Sequence, residues 1–418
     1  MTPPVSADVK ATATQPAVAP AETYSRLMRI PGLRSLLVSS LLTRTASQMW
    51  TVGLVLFALQ RYHSAGVAGV SIFLLIFPGL CLSPIAGALL DRHGRKRLMR
   101  LDFSVAAICL TAIVTLAATN HLPVWGLYAL LVAGSVTSTL SIAGARSFFP
   151  LIVPRDLWDR GNAADSICFG VSAILGPGLA GFLIAALGSE AALAGAAVFY
   201  VVGAAALQGV IEPAGSGEVS SRILYEALRG LRYVIANRTL RWIAVSMSIL
   251  NVGWGMVLVA LPVIVFRLHG SAAVVGVLLA LNGAVGIPAA LFAGRVHTEG
   301  RERQFMAILG TIMGLATLML LVPSIVAVGI GIALIGAADG PFNICTFSLR
   351  QRRTARAWFG RAFAVSMSLN FAGVPIGSAL SGPVLGFSIP FAIALAALLM
   401  VSGGVLMLLR IPAVEEPA

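Results

Sequence analysis

Charge is what this 418-residue chain has least of. Asp, Glu, Lys and Arg together make up 11% of it, against about 25% in an ordinary soluble domain, so most of its surface cannot be facing water. Acids are the scarcer sign, 16 against 29 Lys and Arg. Cysteine and histidine number 4 and 5. Cys81, Cys109, Cys168 and Cys345 sit singly inside apolar runs, so neither a disulfide nor a metal site is expected and they read as small packing residues. The five His fall in or beside loops, widely spaced. With no P-loop and no His-Glu-x-x-His, nothing supports ATP-driven pumping or zinc hydrolysis. No cofactor and no catalytic constellation are expected, and the chain does not read as an enzyme.

What is abundant is hydrocarbon. Apolar residues are 58% of the chain, gathered into twelve runs, the first at about 35–59 and the last at about 388–410, each near the roughly 20 residues that cross a 30 Å hydrocarbon core as a helix. The runs do not alternate as barrel strands do. The expected class is an all-α membrane protein with twelve transmembrane helices. Residues 1–23, rich in Ala, Thr, Pro and Val, lack a signal-peptide core and read as a disordered cytoplasmic tail.

The net charge of +13 is distributed by topology. Arg61 and Arg267 fall in loops on one side and Arg44 lies within a span; the other Lys and Arg sit in the tails and in the loops after even-numbered spans. This is the positive-inside pattern, which places both termini in the cytoplasm. The basicity is therefore no nucleic-acid footprint. The cluster Arg350, Arg352, Arg353 and Arg356 is expected to anchor the chain and meet anionic lipid.

Six spans (24–211) precede a polar stretch at 212–240 and six follow it (241–411), with a short tail at 412–418. Within the polar stretch Glu-Pro-Ala-Gly-Ser-Gly breaks the chain, and Ile223, Leu224, Ala227, Leu228, Leu231, Val234 and Ile235 then recur at helical spacing among arginines, the pattern of an amphipathic helix at the cytoplasmic face. The halves echo each other at an offset of about 200 residues, the mark of a parallel repeat. Gly87-to-Arg97 corresponds to Gly294-Arg295…Arg301-Glu302-Arg303, Arg146 to Arg350, and Gly161…Gly176-Pro177…Gly181 to Gly360…Pro375…Gly377…Gly382.

The sharpest local pattern is Gly87-Ala-Leu-Leu-Asp91-Arg92-His-Gly94-Arg95-Lys96-Arg97-Leu98, between the second and third spans. Gly87 permits close helix contact and Gly94 the positive φ of a tight turn. Asp91 can bond nearby arginines or a helix N-terminus. Such a loop can latch the cytoplasmic side of the outward-facing state; the plainer reading is topological charge.

This loop, in this place among twelve spans, resembles the signature of the major facilitator superfamily, and the likeness runs over about 26–411. Arg146-Ser-Phe-Phe-Pro150…Val153-Pro154-Arg155-Asp156…Asn162-Ala163 and Gln351-Arg-Arg…Gly360-Arg361-Ala-Phe363 look like the branch with macrolide-efflux and enterobactin-export proteins. The resemblance implies two six-helix halves that rock about a central cavity lined by spans 1, 4, 7 and 10, and it implies export. The stretch Gly176-Pro177-Gly178-Leu-Ala-Gly181 is similar to the span-5 motif of drug–proton antiporters, with Ala180 and Ser172 where that motif has glycines. It also matches the dinucleotide fingerprint formally, but inside a helical apolar run that reading fails. Generic close packing explains its small residues equally well.

An ionisable side chain within a span costs roughly 2.5–3.5 kcal/mol at mid-membrane and so demands a partner or a task. Arg44 in span 1 and Asp339 in span 10 qualify. A carboxyl that alternates between apolar packing and a nearby arginine can take up and release a proton, which makes Asp339 with Arg44 the candidate proton-coupling pair. A permanent structural pair, or an acid solvated near the cytoplasmic mouth, are the alternatives. Related exporters often carry an acid just after this arginine; here Ser47 and Gln48 stand there. Gln48 shares a face with Arg44, Asn251 with Trp254, Ser135 with Thr139, and Asn343 with Asp339. Together they would line a mostly apolar cavity with a few polar groups, although inter-helix hydrogen bonding would use the same residues. Asp102 and Asp165, near the cytoplasmic starts of spans 3 and 5, complement helix N-terminal dipoles.

The expectation is a monomeric secondary transporter of a bacterial-type inner membrane, expelling an amphipathic drug- or siderophore-like molecule by proton antiport. Metabolite uptake, facilitated diffusion, lipid translocation and a non-transporting sensor are the alternatives.

Overall fold

The computed structural model describes residues 25–154, 157–212, 223–295, 298–355 and 358–413. The expected tail at 1–23, the end of the 412–418 tail and the Pro-Ala-Gly-Ser-Gly part of the break lie outside them. Among the described residues the chain is helical with no strand. The first half comprises α1 (Leu33–Tyr62), α2 (Ala65–His93), α3 (Arg95–Ala118), α4 (Val124–Ile152), α5 (Trp158–Leu187) and α6 (Ser189–Ala206). The connecting helix is α7 (Ile223–Ala236). The second half comprises α8 (Arg238–Arg267), α9 (Ala272–Ala293), α10 (Glu302–Thr317), α11 (Ile325–Arg352), α12 (Phe359–Phe371), α13 (Gly373–Phe387) and α14 (Ile389–Arg410).

Side chains and glycines set the helix ends. Ser64 Oγ accepts from Val67 N at 3.2 Å to start α2, and Asn237 Oδ1 accepts from Leu240 N at 2.9 Å to start α8, each satisfying a first-turn donor. Gly94 (φ 86°) joins α2 to α3, and Gly188 (φ 93°) joins α5 to α6.

Among the described residues, ten of the helices are long and apolar enough to cross a membrane. The other two expected spans differ for identifiable reasons. α1 has 30 residues, but Arg34, Arg44 and Arg61 dilute its hydropathy. The eleventh span is broken at Ala372 into α12 and α13. Pro375 has no N–H and its ring crowds the preceding turn, which interrupts the helical ladder there. α8 braces the last turn before the break: Ser248 Oγ donates to Leu369 O and Asn251 Nδ2 to Asn370 O at 2.9 Å.

The parallel repeat is visible in the packing. In the first half α1 packs on α5 and α6, α2 on α4, and α3 on α4 and α6. In the second, α8 packs on α13 and α14, α9 on α11, and α10 on α11 and α14, which is the same arrangement. The halves meet along α5–α9 and α2–α13. There, at the end away from Gly94, a Cβ on Gly181 would lie 2.7 Å from Gly276 Cα, and one on Gly382 would lie 2.4 Å from Gly66 Cα. Only backbones without side chains approach so closely. Nearer the other end, Ser83 Oγ and Ser368 Oγ join α2 and α12 at 3.2 Å.

Candidate functional site

The signature loop is built around Gly94. Glu212, just past α6, accepts from the backbone N–H of Arg95 at 2.7 Å and of Lys96 at 3.1 Å, so a carboxylate caps the N-terminus of α3, where the helix dipole favours it. Lys96 Nζ in turn donates to Gln208 O at 2.8 Å and Val210 O at 2.7 Å, at the end of the α6 segment. Arg95 Nε donates to Ser147 Oγ of α4 at 3.1 Å. Arg92 and Arg97 are exposed. Gly87 and Asp91 lie in the last turns of α2, and their immediate surroundings lie outside the described residues. The described contacts of the loop thus tie α3, α4 and the end of α6 together within one half.

Arg44 and Asp339 are not partners. Arg44 Nη2 lies 3.0 Å from each carboxylate oxygen of Asp165 on α5, and its Nη1 donates to Asp165 O at 3.0 Å. The two side chains are 25% and 40% exposed, so the pair is neither buried nor free. The guanidinium also lies 5.8 Å from the ring centroid of Phe169, one turn along α5. Exposed Arg146 of α4 lies within electrostatic range of both Arg44 and Asp165. Sequence reasoning gave Asp165 to a helix dipole and missed this pairing. The available signal was an arginine and an acid in spans that pack together.

Asp339, Asn343 and Arg350 fall on one face of α11, since steps of four and seven residues return to nearly the same angle. The opposite face carries Val326 and Ile330, 72% and 48% exposed, where lipid would be. Asp339 is therefore on the interior side and partly exposed there. Asn343 Nδ2 donates to Asp339 O at 2.9 Å. No ion-pair partner for Asp339 is found among the described residues.

Arg350 departs from the expectation of lipid contact. It is 1% exposed, with Nη1 donating to Met367 Sδ at 3.2 Å and its guanidinium 5.7 Å from the Phe347 ring centroid. Its last-turn position on the interior face, under α12, takes it out of reach of headgroups. Arg352 pairs with Glu302 and lies 3.8 Å from Glu299, and Arg353 donates to Ala413 O at 3.4 Å. Arg356 lies outside the described residues. Asp102 is 3% exposed, held by the hydroxyls of Ser141 and Thr137 on α4.

The remaining candidates serve contacts between helices. Ser135 Oγ accepts from Gly79 N of α2 at 2.9 Å, and Thr139 is buried beside it on α4. Gln48 meets Gly176, where a Cβ would come 2.4 Å from Gln48 Cβ, so the glycine before Pro177 lets α5 lie against α1. Gly181 is the contact with α9 described above. Asn251 braces the α12–α13 break, and Trp254 is partly buried against the core. Asn282 of α9, not singled out by its sequence context, donates to Ile332 O at 3.1 Å. Among the described residues no group of His, Cys, Asp and Glu could hold a metal ion.

Two repeated helical halves meeting along four helices, with ionisable groups on inward faces, define a multi-pass membrane transporter. The chain belongs to the Major Facilitator Superfamily, whose family model matches residues 36–378. It is 37% identical over 370 residues to an uncharacterized MFS-type transporter, y4rN, of Sinorhizobium fredii, covering 87% of this chain and 91% of that one. It is 27% identical to the multidrug efflux pump Tap of Mycobacterium bovis, over 86% and 88% of the two chains. The crystal structure of the nucleoside transporter NupG superposes with a TM-score of 0.71 at 12% identity, covering 90% of this chain and 97% of that one.

Proposed function

We propose that the protein exports an amphipathic small molecule in exchange for protons, by alternating access between its two halves. The observation that carries this reading is Asp339, an acid on the interior face of a membrane helix with no ion-pair partner among the described residues. A carboxyl in that position is expensive when charged and cheap when protonated, so it fits a group that gains and loses a proton in each cycle. The proton gradient supplies the energy and no cofactor is needed. The similarity to a multidrug efflux pump supports the outward direction and the amphipathic cargo. Arg44, held by Asp165, shapes the cavity wall on the other half. In this reading a single chain, set in an inner membrane with both termini cytoplasmic, is the working unit.

Proton flux in inverted membrane vesicles tests the proposal. Vesicles are energised, an acidification-sensitive dye is followed, and lipophilic drugs, macrolides and siderophores are added singly. Proton release on adding one class, absent without the protein and lost in Asp339→Asn, is the expected result. Substrate accumulation with no proton movement would reassign the protein to uptake or facilitated diffusion.

A further inference from the structure

The helix that joins the halves has one face packed on protein and one face open. α7 ends at Ala236, and the span α8 starts at Arg238. Between them Asn237 is extended (φ −75°, ψ 114°), so α7 leaves the line of α8 where that helix enters the apolar layer. On the packed face Val234 is 1% exposed and clusters with Leu240 and Val365, and Gly230 is buried. Tyr233 stacks on Trp358 at 5.0 Å, and its hydroxyl accepts from Ala355 N at 3.1 Å. Asn237 Nδ2 donates to Arg353 O at 3.3 Å. α7 is thus pinned to the segment between α11 and α12, and it also packs on α2 of the first half. On the open face Leu228 and Ile235, seven residues apart and so on one side of the helix, are 56% and 51% exposed. Arg229 and Arg232 flank them and are exposed too. The Arg229 guanidinium lies 5.2 Å from the Trp358 ring centroid. Exposed Arg241, in the first turn of α8, ends the stripe by donating from Nη1 to Ile235 O at 2.9 Å. Glu226 falls by register on the side of Gly230 and Val234; its side chain and the tail acids Glu415 and Glu416 lie outside the described residues.

We propose that the open face of α7 is a docking surface for anionic phospholipid in the leaflet on that side, the cytoplasmic one by the positive-inside pattern. Leu228 and Ile235 enter the acyl boundary, and Arg229 and Arg232 hold the headgroup phosphate. Water alone would leave the two apolar side chains exposed, and hydrocarbon alone would strand the arginines. The headgroup boundary accommodates both, as it does for other amphipathic helices that lie in its plane. A zwitterionic headgroup offers the arginines no net opposite charge, whereas an anionic one does, and a guanidinium fork matches phosphate oxygens. Because α7 touches both halves, lipid held there bears on the bridge between them and not on the cavity. The inference is independent of cargo, transport direction and proton coupling.

Quenching by brominated lipid tests it in the full-length protein, with alanine replacing Cys81, Cys109, Cys168 and Cys345. A bimane label is placed by Leu228→Cys in phosphatidylcholine bilayers that contain phosphatidylglycerol, and one lipid or the other carries bromine on its acyl chains. A label placed by Val326→Cys, on the lipid-facing side of α11 and 72% exposed, reports the bulk bilayer. The expected result is quenching at Leu228→Cys that favours phosphatidylglycerol by about fivefold over the Val326→Cys ratio. Arg229→Gln with Arg232→Gln should bring that preference down to the bulk ratio, and Arg229→Lys with Arg232→Lys should keep most of it. Raising the salt to about 1 M should lower the preference with no mutation at all, since screening then acts within about 3 Å. The proposal is overturned if neither lipid quenches the label at Leu228→Cys, which would place α7 outside the membrane. It is overturned equally if the ratio there matches the bulk one, or if it survives both the paired glutamine variant and high salt.

Discussion

The carboxylate of Glu212 accepts from the backbone N–H of Lys96 at 3.1 Å, while the ammonium of the same Lys96 donates to Gln208 O and Val210 O. An acid sits on the positive end of α3 and a cation on the carbonyls that end the α6 segment, each where the backbone dipoles favour it. The signature loop is thereby clamped to the root of the connection between the halves. Removing the acid should cost about 1 kcal/mol, read as a lower melting temperature for Glu212→Gln. Its transport should fall in kcat with KM nearly unchanged, because the clamp's hydrogen bonds involve none of the candidate cavity residues. Gly94→Ala should do at least as much harm, since its φ of 86° disfavours any side chain and the new Cβ would lie 3.3 Å from Glu212 Oε2. Wild-type melting and turnover in both variants would remove the clamp from the account.

The pairing of Arg44 with Asp165 makes a second test. Each single neutralisation, Arg44→Gln or Asp165→Asn, leaves a partly buried charge without its partner. The loss should be about 1–2 kcal/mol, between the values for exposed and buried pairs. Exchanging the two residues should recover much of it, and the double-mutant coupling energy is the measurement. Independent, additive losses would mean that the pair is incidental.

Two glycines two positions apart predict opposite outcomes within one motif. A Cβ at Gly176 would fall 2.4 Å from Gln48 Cβ, whereas at Gly178 the nearest atom, Ala280 Cβ, is 3.9 Å away. Gly176→Ala should therefore reduce folded yield and melting temperature. Gly178→Ala should be neutral or slightly stabilising, as alanine is the better helix former. Size-exclusion profiles after heating distinguish them.

The close approach of α5 and α9 gives a conformational prediction. A Cβ at Gly276 would lie 2.6 Å from Pro177 O and 2.7 Å from Gly181 Cα, backbone atoms that cannot rotate aside. Gly276→Val should force the halves apart at that end. A cysteine introduced at Ser381, buried in the neighbouring α2–α13 contact, should then react severalfold faster with a membrane-impermeant thiol reagent. An unchanged rate would show that the seam yields without opening.

Most of the architecture was legible in residue order. Twelve apolar runs, their charge asymmetry and the offset between halves follow from the bilayer, which demands about 20 apolar residues per span and sets the side on which cations stay. The break in the eleventh span is foreshadowed by Ala372-Gly373-Val374-Pro375, because a proline's missing donor acts locally. What the sequence could not assign is who meets whom. Asp102, Asp165 and Asp339 are alike as isolated acids in apolar helices. Packing gave the first two hydroxyls and an arginine, and left the third facing inward with no ion-pair partner among the described residues. Arg146 and Arg350 end corresponding spans, yet one is exposed and the other 1% exposed. Local rules fix where a helix runs and which face is apolar. The partner of a charge is fixed by which helices pack and at what rotation, and that is a property of the whole bundle.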